Sequence, residues 1–428
     1  ALALLQGWWG IIRSQDLAAR PDNPRSIIAD RYVAHGQLLD RSNHVLAFTD
    51  GQPGQYIRRI PNPVTAPVTG YHNSIYGQAG AEFGFNNYLR GLEGTPTSLI
   101  WYHSLLYSQP PLGLEVRLSL DLDLQTQASN LLEGKTGSLI LLNSNTGEIL
   151  AMSSSPSFDP NQIESEWQTW IADPRAPLLN RAVQGLYPPG RALLPFLLSE
   201  RLSNTDLPNF PASLTYTIQG QTFSCATLPD PQANWNTILR QGCPGAALRL
   251  GEGKTNQDFQ QLYERLGFTQ PPTLPLPVSS PILPIGQIDP KLSALGQDGL
   301  RISPLQMALA SAALTQQGIR PAPRLGLAIN TPAQSWIVFA NQQGQTALPS
   351  NGIVRAWPML AAPDLPIWET SASASGDEQE PIAWYLSGSQ PTWQGNPFTL
   401  VLVLEDAEPT EAAQLGHQFW QDLLSGQP

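Results

Sequence analysis

The sequence predicts an α+β protein whose larger, C-terminal part combines an antiparallel sheet with packed helices. Three observations carry this expectation. Residues 138–143 and 148–154 are alternating apolar runs separated by the turn formers Ser144-Asn145-Thr146-Gly147, so they read as paired strands. Phe259, Leu262, Tyr263 and Leu266 fall at i, i+3, i+4 and i+7, the spacing of one helix face, with Thr255 or Asn256 as cap and Gly267 as stop. Ser303-Pro304 opens another helix with a capping hydroxyl and a proline at the first helical position, and Gly318 ends it.

At 428 residues the chain has room for two or three domains. An apolar content of 41% with 13% charged residues describes a folded body, and the net charge of −11 argues against a nucleic-acid partner, which needs clustered Lys and Arg. The 41 prolines are about twice the average usage of roughly 5% and point to stiffened loops between periodic segments. Cys225 and Cys243, if paired, would close a short loop, stabilise by about 3 kcal/mol and imply an oxidising exterior; two buried thiols are the alternative. Ala1–Ile12 is apolar and carries Trp8 and Trp9, but it is shorter than the roughly 20 residues of a spanning helix. It reads either as the end of a membrane anchor with tryptophans at the interface or as an amphipathic edge helix.

The chain divides into an N-terminal segment 1–26, a unit of short strands and loops over 27–112, and a second unit over 113–428. In the first unit, residues 34–41 and 44–47 form a hairpin around Ser42-Asn43, and the glycines between Tyr71 and Gly91 suit turns, with Glu82 as a structural ion-pair partner. In the second, residues 116–125 lead into a helix through Leu132, and Leu193–Leu202 is helical with Pro195 tolerated in its first turn. A proline-rich loop covers 269–285, and Glu411–Leu424 forms a closing helix.

These stretches together resemble the class B penicillin-binding proteins. Ala34-His35-Gly36-Gln37-Leu38-Leu39-Asp40-Arg41 is similar to the signature that opens that family's pedestal, with His35 standing where the family has arginine. Residues 76–91 resemble the Gly-x-x-Gly-x-Glu segment that closes the pedestal. Ala151-Met152-Ser153-Ser154-Ser155-Pro156-Ser157-Phe158-Asp159-Pro160-Asn161 is close to Ala-Met-x-Ser-x-Pro-x-Phe-Asp-Pro-Asn. Ile302-Ser303-Pro304-Leu305-Gln306-Met307-Ala308 and Trp384-Tyr385-Leu386-Ser387-Gly388 match further family segments, all in family order.

The family's catalytic residues do not carry over. After Tyr187-Pro188-Pro189-Gly190 the family has Ser-x-x-Lys, in which the serine attacks and the lysine one turn later takes its proton. This chain has Arg191 and Leu194 there, and none of its three lysines, Lys135, Lys254 and Lys291, follows a serine by three positions. Lys254-Thr255-Asn256 is aligned with the second motif, Ser-x-Asn, so only Asn256 matches. Glu369-Thr370-Ser371 is aligned with the third motif, Lys-Thr-Gly, so only Thr370 matches; Lys135-Thr136-Gly137 spells that motif but precedes the first strand and reads as a turn.

The resemblance implies a penicillin-binding, β-lactamase-like transpeptidase fold behind an extended pedestal, anchored to the outer face of a bacterial cytoplasmic membrane. The family makes peptidoglycan crosslinks through a serine ester that β-lactams intercept. The lost motifs imply a catalytically inactive homologue, a scaffold or regulatory partner in peptidoglycan synthesis during division or elongation. A SEDS-type glycosyltransferase is the partner the family pedestal implies, and no cofactor or metal is expected. Two alternatives are a noncovalent sensor of stem peptides or β-lactams, and a D,D-transpeptidase with a relocated nucleophile among Ser153, Ser154 and Ser155. Because a cation near a helix N-terminus is disfavoured by about 0.3–1 kcal/mol unless paired, an ion pair between Arg191 and Glu369 is expected to fill the cleft.

Overall fold

The structure, a computed structural model, describes residues 32–100, 102, 111–226, 232–286, 289–376 and 380–425. The N-terminal segment 1–26, with the expected anchor stretch Ala1–Ile12, lies outside the described residues. Among the described residues no helix is long and apolar enough to cross a membrane.

The N-terminal unit is built on β1 (Leu38–Leu39), β2 (Val45–Asp50) and β3 (Ile57–Arg59). Asp40 shapes the β1–β2 turn by accepting from the backbone N–H groups of Ser42 and His44, and Asn43 takes the positive φ the turn requires. Next come α1 (Ala66–Thr69), β4 (His72–Asn73), β5 (Gly77–Gln78), α2 (Gly80–Gly84) and α3 (Asn86–Leu89). Glu82 on α2 is the ion-pair partner the sequence suggested: Arg58 Nε on β3 donates to its Oε1 at 2.8 Å, both side chains almost wholly buried.

The second unit begins with β6 (Val116–Leu118), α4 (Leu122–Leu131), β7 (Gly137–Asn143) and β8 (Ile149–Ser155). It continues through α5 (Ile163–Ala172), α6 (Leu194–Asn204), the hairpin β9 (Tyr216–Ile218) and β10 (Gln221–Phe223), α7 (Trp235–Arg240), α8 (Pro244–Leu250) and α9 (Asn256–Leu266). After α10 (Pro290–Ala294) and α11 (Pro304–Thr315) come β11 (Ile319–Arg320), β12 (Gly326–Asn330), β13 (Trp336–Val338), β14 (Gln345–Thr346) and α12 (Ser350–Leu360). The chain closes with β15 (Ile367–Ser375), β16 (Pro381–Ser389), β17 (Phe398–Glu405) and α13 (Pro409–Ser425).

Two sheets organise this. A six-stranded sheet runs β13-β12-β6-β1-β2-β3, so strands of the second unit complete the sheet of the first. A five-stranded antiparallel sheet runs β15-β16-β17-β7-β8. Its side chains alternate between two cores. One face carries Ile140, Leu142, Trp368, Ala372, Trp384 and Val401 against the helices that contain Leu193–Leu198 and Leu305–Leu314. The other carries Leu139, Leu141, Ala383, Tyr385 and Leu402 against α4 and Phe419, Trp420 and Leu423 of α13. The strands are buried on both faces, which explains their nearly continuous apolar runs.

The caps agree with local chemistry. Ser303 and Gln306 form a capping box on α11 behind Pro304. Thr255 and Asp258 do the same on α9, so Thr255 is the cap and Asn256 the first helical residue. Gly267 closes α9 in the left-handed conformation.

Candidate functional site

The stretch Tyr187–Leu194 is pinned from behind before it reaches the cleft. Tyr187 exchanges backbone hydrogen bonds with Ile302 at 2.9 Å, Trp384 Nε1 donates to the Pro188 carbonyl at 2.9 Å, and Gly190 N–H donates to the Gly296 carbonyl at 3.0 Å. Gly190 has φ +53°, and a Cβ there would lie 2.6 Å from the Ser373 carbonyl oxygen, so glycine lets the turn abut β15. Residues Gly190–Leu193 then form a 3-10 turn leading into α6, which places Arg191 at the mouth of that helix.

Opposite Arg191 lies the loop before α8. Gly242 has φ +56°, and a Cβ there would meet the Ser371 carbonyl oxygen at 2.6 Å, so this loop is also drawn against β15. Cys243, the next residue, is joined to Cys225 by a disulfide that ties the loop to the segment after β10. Three elements therefore converge: the turn at Arg191, the loop at Gly242 and the free edge of β15.

Arg191 fills the space between them. Its side chain donates from Nε to the Gly242 carbonyl at 2.7 Å and from Nη2 to Ser373 Oγ, and the residue is only 4% exposed. Among the described residues no carboxylate lies within ion-pair distance of it, and burial lowers its pKa to about 10. Leu194, at the expected base position, is fully buried in apolar core.

The expected Arg191–Glu369 pair does not form. Arg191 reaches β15 at Ser373, four residues along the strand from Glu369. Glu369 takes the α13 side, where Tyr385 Oη donates to its Oε2 at 3.1 Å and His417 Nε2 lies 2.5 Å from the same oxygen. Arg240 Nη1 approaches Oε1 at 3.9 Å. The neighbouring Thr370 takes the side of α7, with Oγ1 donating to the Leu239 carbonyl at 2.9 Å. Among the described residues the guanidinium of Arg191 thus has no acidic partner, and Glu369 belongs to a separate cluster.

Lys254 is also elsewhere. Its Nζ donates to Glu200 Oε2 at 2.7 Å, and Arg265 Nη2 holds the other oxygen of Glu200 at 2.5 Å. This is a structural charge cluster linking α6 to α9. The wall that receives Arg191 is Gly242-Cys243-Pro244, just before the short helix α8, and not the aligned Lys254–Asn256. The signal present was a Gly-Cys-Pro turn directly before an apolar helix.

The serines of β8 offer no open nucleophile. Ser154 Oγ donates to the Leu179 carbonyl at 3.0 Å, Ser155 Oγ donates to the Lys135 carbonyl at 2.7 Å, and Ser153 is 1% exposed. Lys135, of the decoy Lys-Thr-Gly, pairs with Glu411 on α13.

Residues 137–350 match the family described as the penicillin binding protein transpeptidase domain. The peptidoglycan D,D-transpeptidase PbpA of Mycolicibacterium smegmatis is 27% identical over 361 residues, covering 75% of this chain and 71% of that protein. Its namesake from Mycobacterium tuberculosis is 24% identical over 347 residues, covering 74% and 69%. Among solved structures, the imipenem acyl-enzyme complex of penicillin-binding protein A from M. tuberculosis shares the fold with a TM-score of 0.80 at 21% identity, over 93% of this chain and 100% of that one.

Proposed function

The chain belongs to the class B penicillin-binding proteins, and on that premise we propose that it is a catalytically silent member, a scaffold or regulatory partner in peptidoglycan synthesis. The observation that carries this reading is the buried Arg191 in the nucleophile's place, bonded to both walls of the cleft. With a pKa of about 10 its guanidinium stays protonated at neutral pH and has no lone pair to attack a carbonyl. Leu194 has no atom that accepts a proton. Gly242 and Pro244, on the wall that faces Arg191, offer neither a hydroxyl nor a side-chain amide, and Glu369, aligned with the lysine of the third motif, brings no positive charge. Loss of a single member of such a constellation costs several orders of magnitude in rate.

Noncovalent sensing of stem peptides is the weaker reading, because a ligand would have to displace Arg191 from Gly242 and Ser373. A relocated nucleophile is weaker still, because the β8 hydroxyls are buried or hydrogen-bonded to carbonyls. The working location in this proposal is the outer face of the cytoplasmic membrane, reached through the segment that includes Ala1–Ile12. The partner is a SEDS-type glycosyltransferase engaged through the pedestal.

The test is turnover. The purified chain is incubated with a synthetic stem peptide ending in D-Ala-D-Ala beside an active relative. No release of D-alanine above the no-protein rate is expected. Release that scales with protein concentration overturns the proposal.

A further inference from the structure

Far from the cleft, in the pedestal, three side chains that chemistry would pair with a cation meet in one place. His35 precedes β1, His72 opens β4 and Glu82 lies on α2, and one ligand atom from each falls within 4.8 Å of the others. The two imidazoles meet edge to face with centroids 4.3 Å apart. The geometry points to a divalent transition-metal site, of the Zn²⁺ type, formed by His35, His72 and Glu82.

The carboxylate is the strongest argument. Glu82 is fully buried; its Oε1 receives Arg58 Nε at 2.8 Å, while its Oε2 has no hydrogen-bond partner among the described residues. A buried carboxylate oxygen left unbonded is costly, and a cation is one way to satisfy it. Two imidazoles and one carboxylate are a borderline ligand set, suited to Zn²⁺ rather than to Ca²⁺ or Mg²⁺, which prefer all-oxygen sites. Three protein ligands leave the fourth tetrahedral position to water.

The dimensions are compatible. Zinc bonds of about 2.0–2.2 Å place tetrahedral ligand atoms roughly 3.3 Å apart. The observed spread is up to 4.8 Å, so binding requires the partly buried His72 to move inward. A cleft of about 690 Å³ reaches His72 and Arg58, which gives an ion a way in. The outer shell is present as well: His72 Nδ1 lies 2.8 Å from the Gln78 amide, which is held in turn by Asn86. With the Gln78 and Asn86 amides both turned, the Gln78 oxygen accepts from His72 Nδ1–H and from the Asn86 NH2, and the Nε2 lone pair of His72 is left for the ion.

His35 is central to the inference. An arginine at this position, as in the family signature it resembles, would add a second guanidinium beside Glu82. Histidine adds a lone pair instead. Arg58 remains a competing cation on the same carboxylate, so the occupied site carries net positive charge and binds less tightly than one with a second acidic ligand.

The test uses the full chain, stripped with EDTA and desalted. Zinc sulfate is added and retained metal is measured by elemental mass spectrometry after gel filtration; cobalt chloride is titrated in parallel for its visible absorption. About one equivalent of zinc is expected per chain, together with a tetrahedral cobalt spectrum, and neither with calcium or magnesium. His72→Ala, at a half-exposed position that leaves the fold intact, and His35→Gln should each weaken retention by about tenfold or more, while His44→Ala should not. Circular dichroism identifies a variant that fails to fold, in which case the other decides. Retention below about a tenth of an equivalent, or retention unchanged in His72→Ala, overturns the site.

Discussion

The Nε–H of Arg191 donates to the carbonyl oxygen of Gly242 at 2.7 Å, which joins the mouth of α6 to the opposite wall of the cleft. Where acyl transfer would need open space beside a serine, a buried cation bridges the Gly242 carbonyl and the Ser373 hydroxyl. Glycine at both 190 and 242 allows this closeness, since a Cβ at either would strike β15.

Among the described residues Arg191 is held by hydrogen bonds and by no ion pair, and its pKa, lowered to about 10 by burial, means that folding disfavours its charge by on the order of 3 kcal/mol. Replacing a buried charge by an apolar side chain of similar length is commonly neutral or stabilising. Arg191→Met should therefore leave the urea midpoint unchanged or raise it. A loss above about 2 kcal/mol would mean that the hydrogen bonds to Gly242 and Ser373 outweigh the desolvation.

The Cys225–Cys243 bridge spans 18 positions and holds the loop that receives Arg191. Constraining a loop of this length stabilises by about 3 kcal/mol. The double variant Cys225→Ser, Cys243→Ser should lose about that much in urea unfolding, and a reducing agent should lower the wild-type midpoint to the same value without affecting the variant.

How far the sequence reveals this molecule depends on whether a signal is local. Caps and periodicity located α9 and α11, because Thr255, Asp258, Ser303 and Gln306 act within one helical turn. The resemblance placed the turn at Arg191 correctly, because Tyr187-Pro188-Pro189-Gly190 is contiguous. The second wall was misplaced. Lys254 stands at the same kind of helix start as Gly242-Cys243-Pro244, and only tertiary packing separates a residue bound to Glu200 from one that faces Arg191. The Arg191–Glu369 pairing failed for a related reason. Arg191 meets β15 at Ser373, four residues along the strand from Glu369, so about 13 Å of extended chain at 3.3 Å per residue separates the two positions.

His417 carries a pH signature of that displaced acid. Its hydrogen bond to Glu369 raises its pKa above the ordinary histidine value, against an opposing effect of burial. A raised folded-state pKa means that the stabilisation is complete below about pH 6.5 and is lost as pH rises through the folded value. The side chain is 40% exposed, so solvent screening limits the effect to about 1 kcal/mol or less. His417→Gln should lower the melting temperature at pH 5.5 and converge on the wild type at pH values above the raised one. An equal loss at both ends would assign His417 a packing role.

Arg58 and Glu82 form an ion pair that is 3% and 0% exposed and links β3 to α2. Removing one member of such a pair strands the other charge and costs about 3–5 kcal/mol. Arg58→Ala should fall in that range. Arg58→Ala combined with Glu82→Ala should recover part of the loss, and no recovery would show that the two contribute independently.

Acylation of position 191 decides the central claim. The purified chain is exposed to a fluorescent penicillin at high concentration, beside a boiled control, and its intact mass is measured. The bonded Arg191, with Leu194 behind it, predicts no mass increase, and none in Arg191→Ser either, because a serine at 191 would still lack a base. A stoichiometric adduct on the wild-type chain would contradict a silent site, and the labelled peptide would identify the nucleophile.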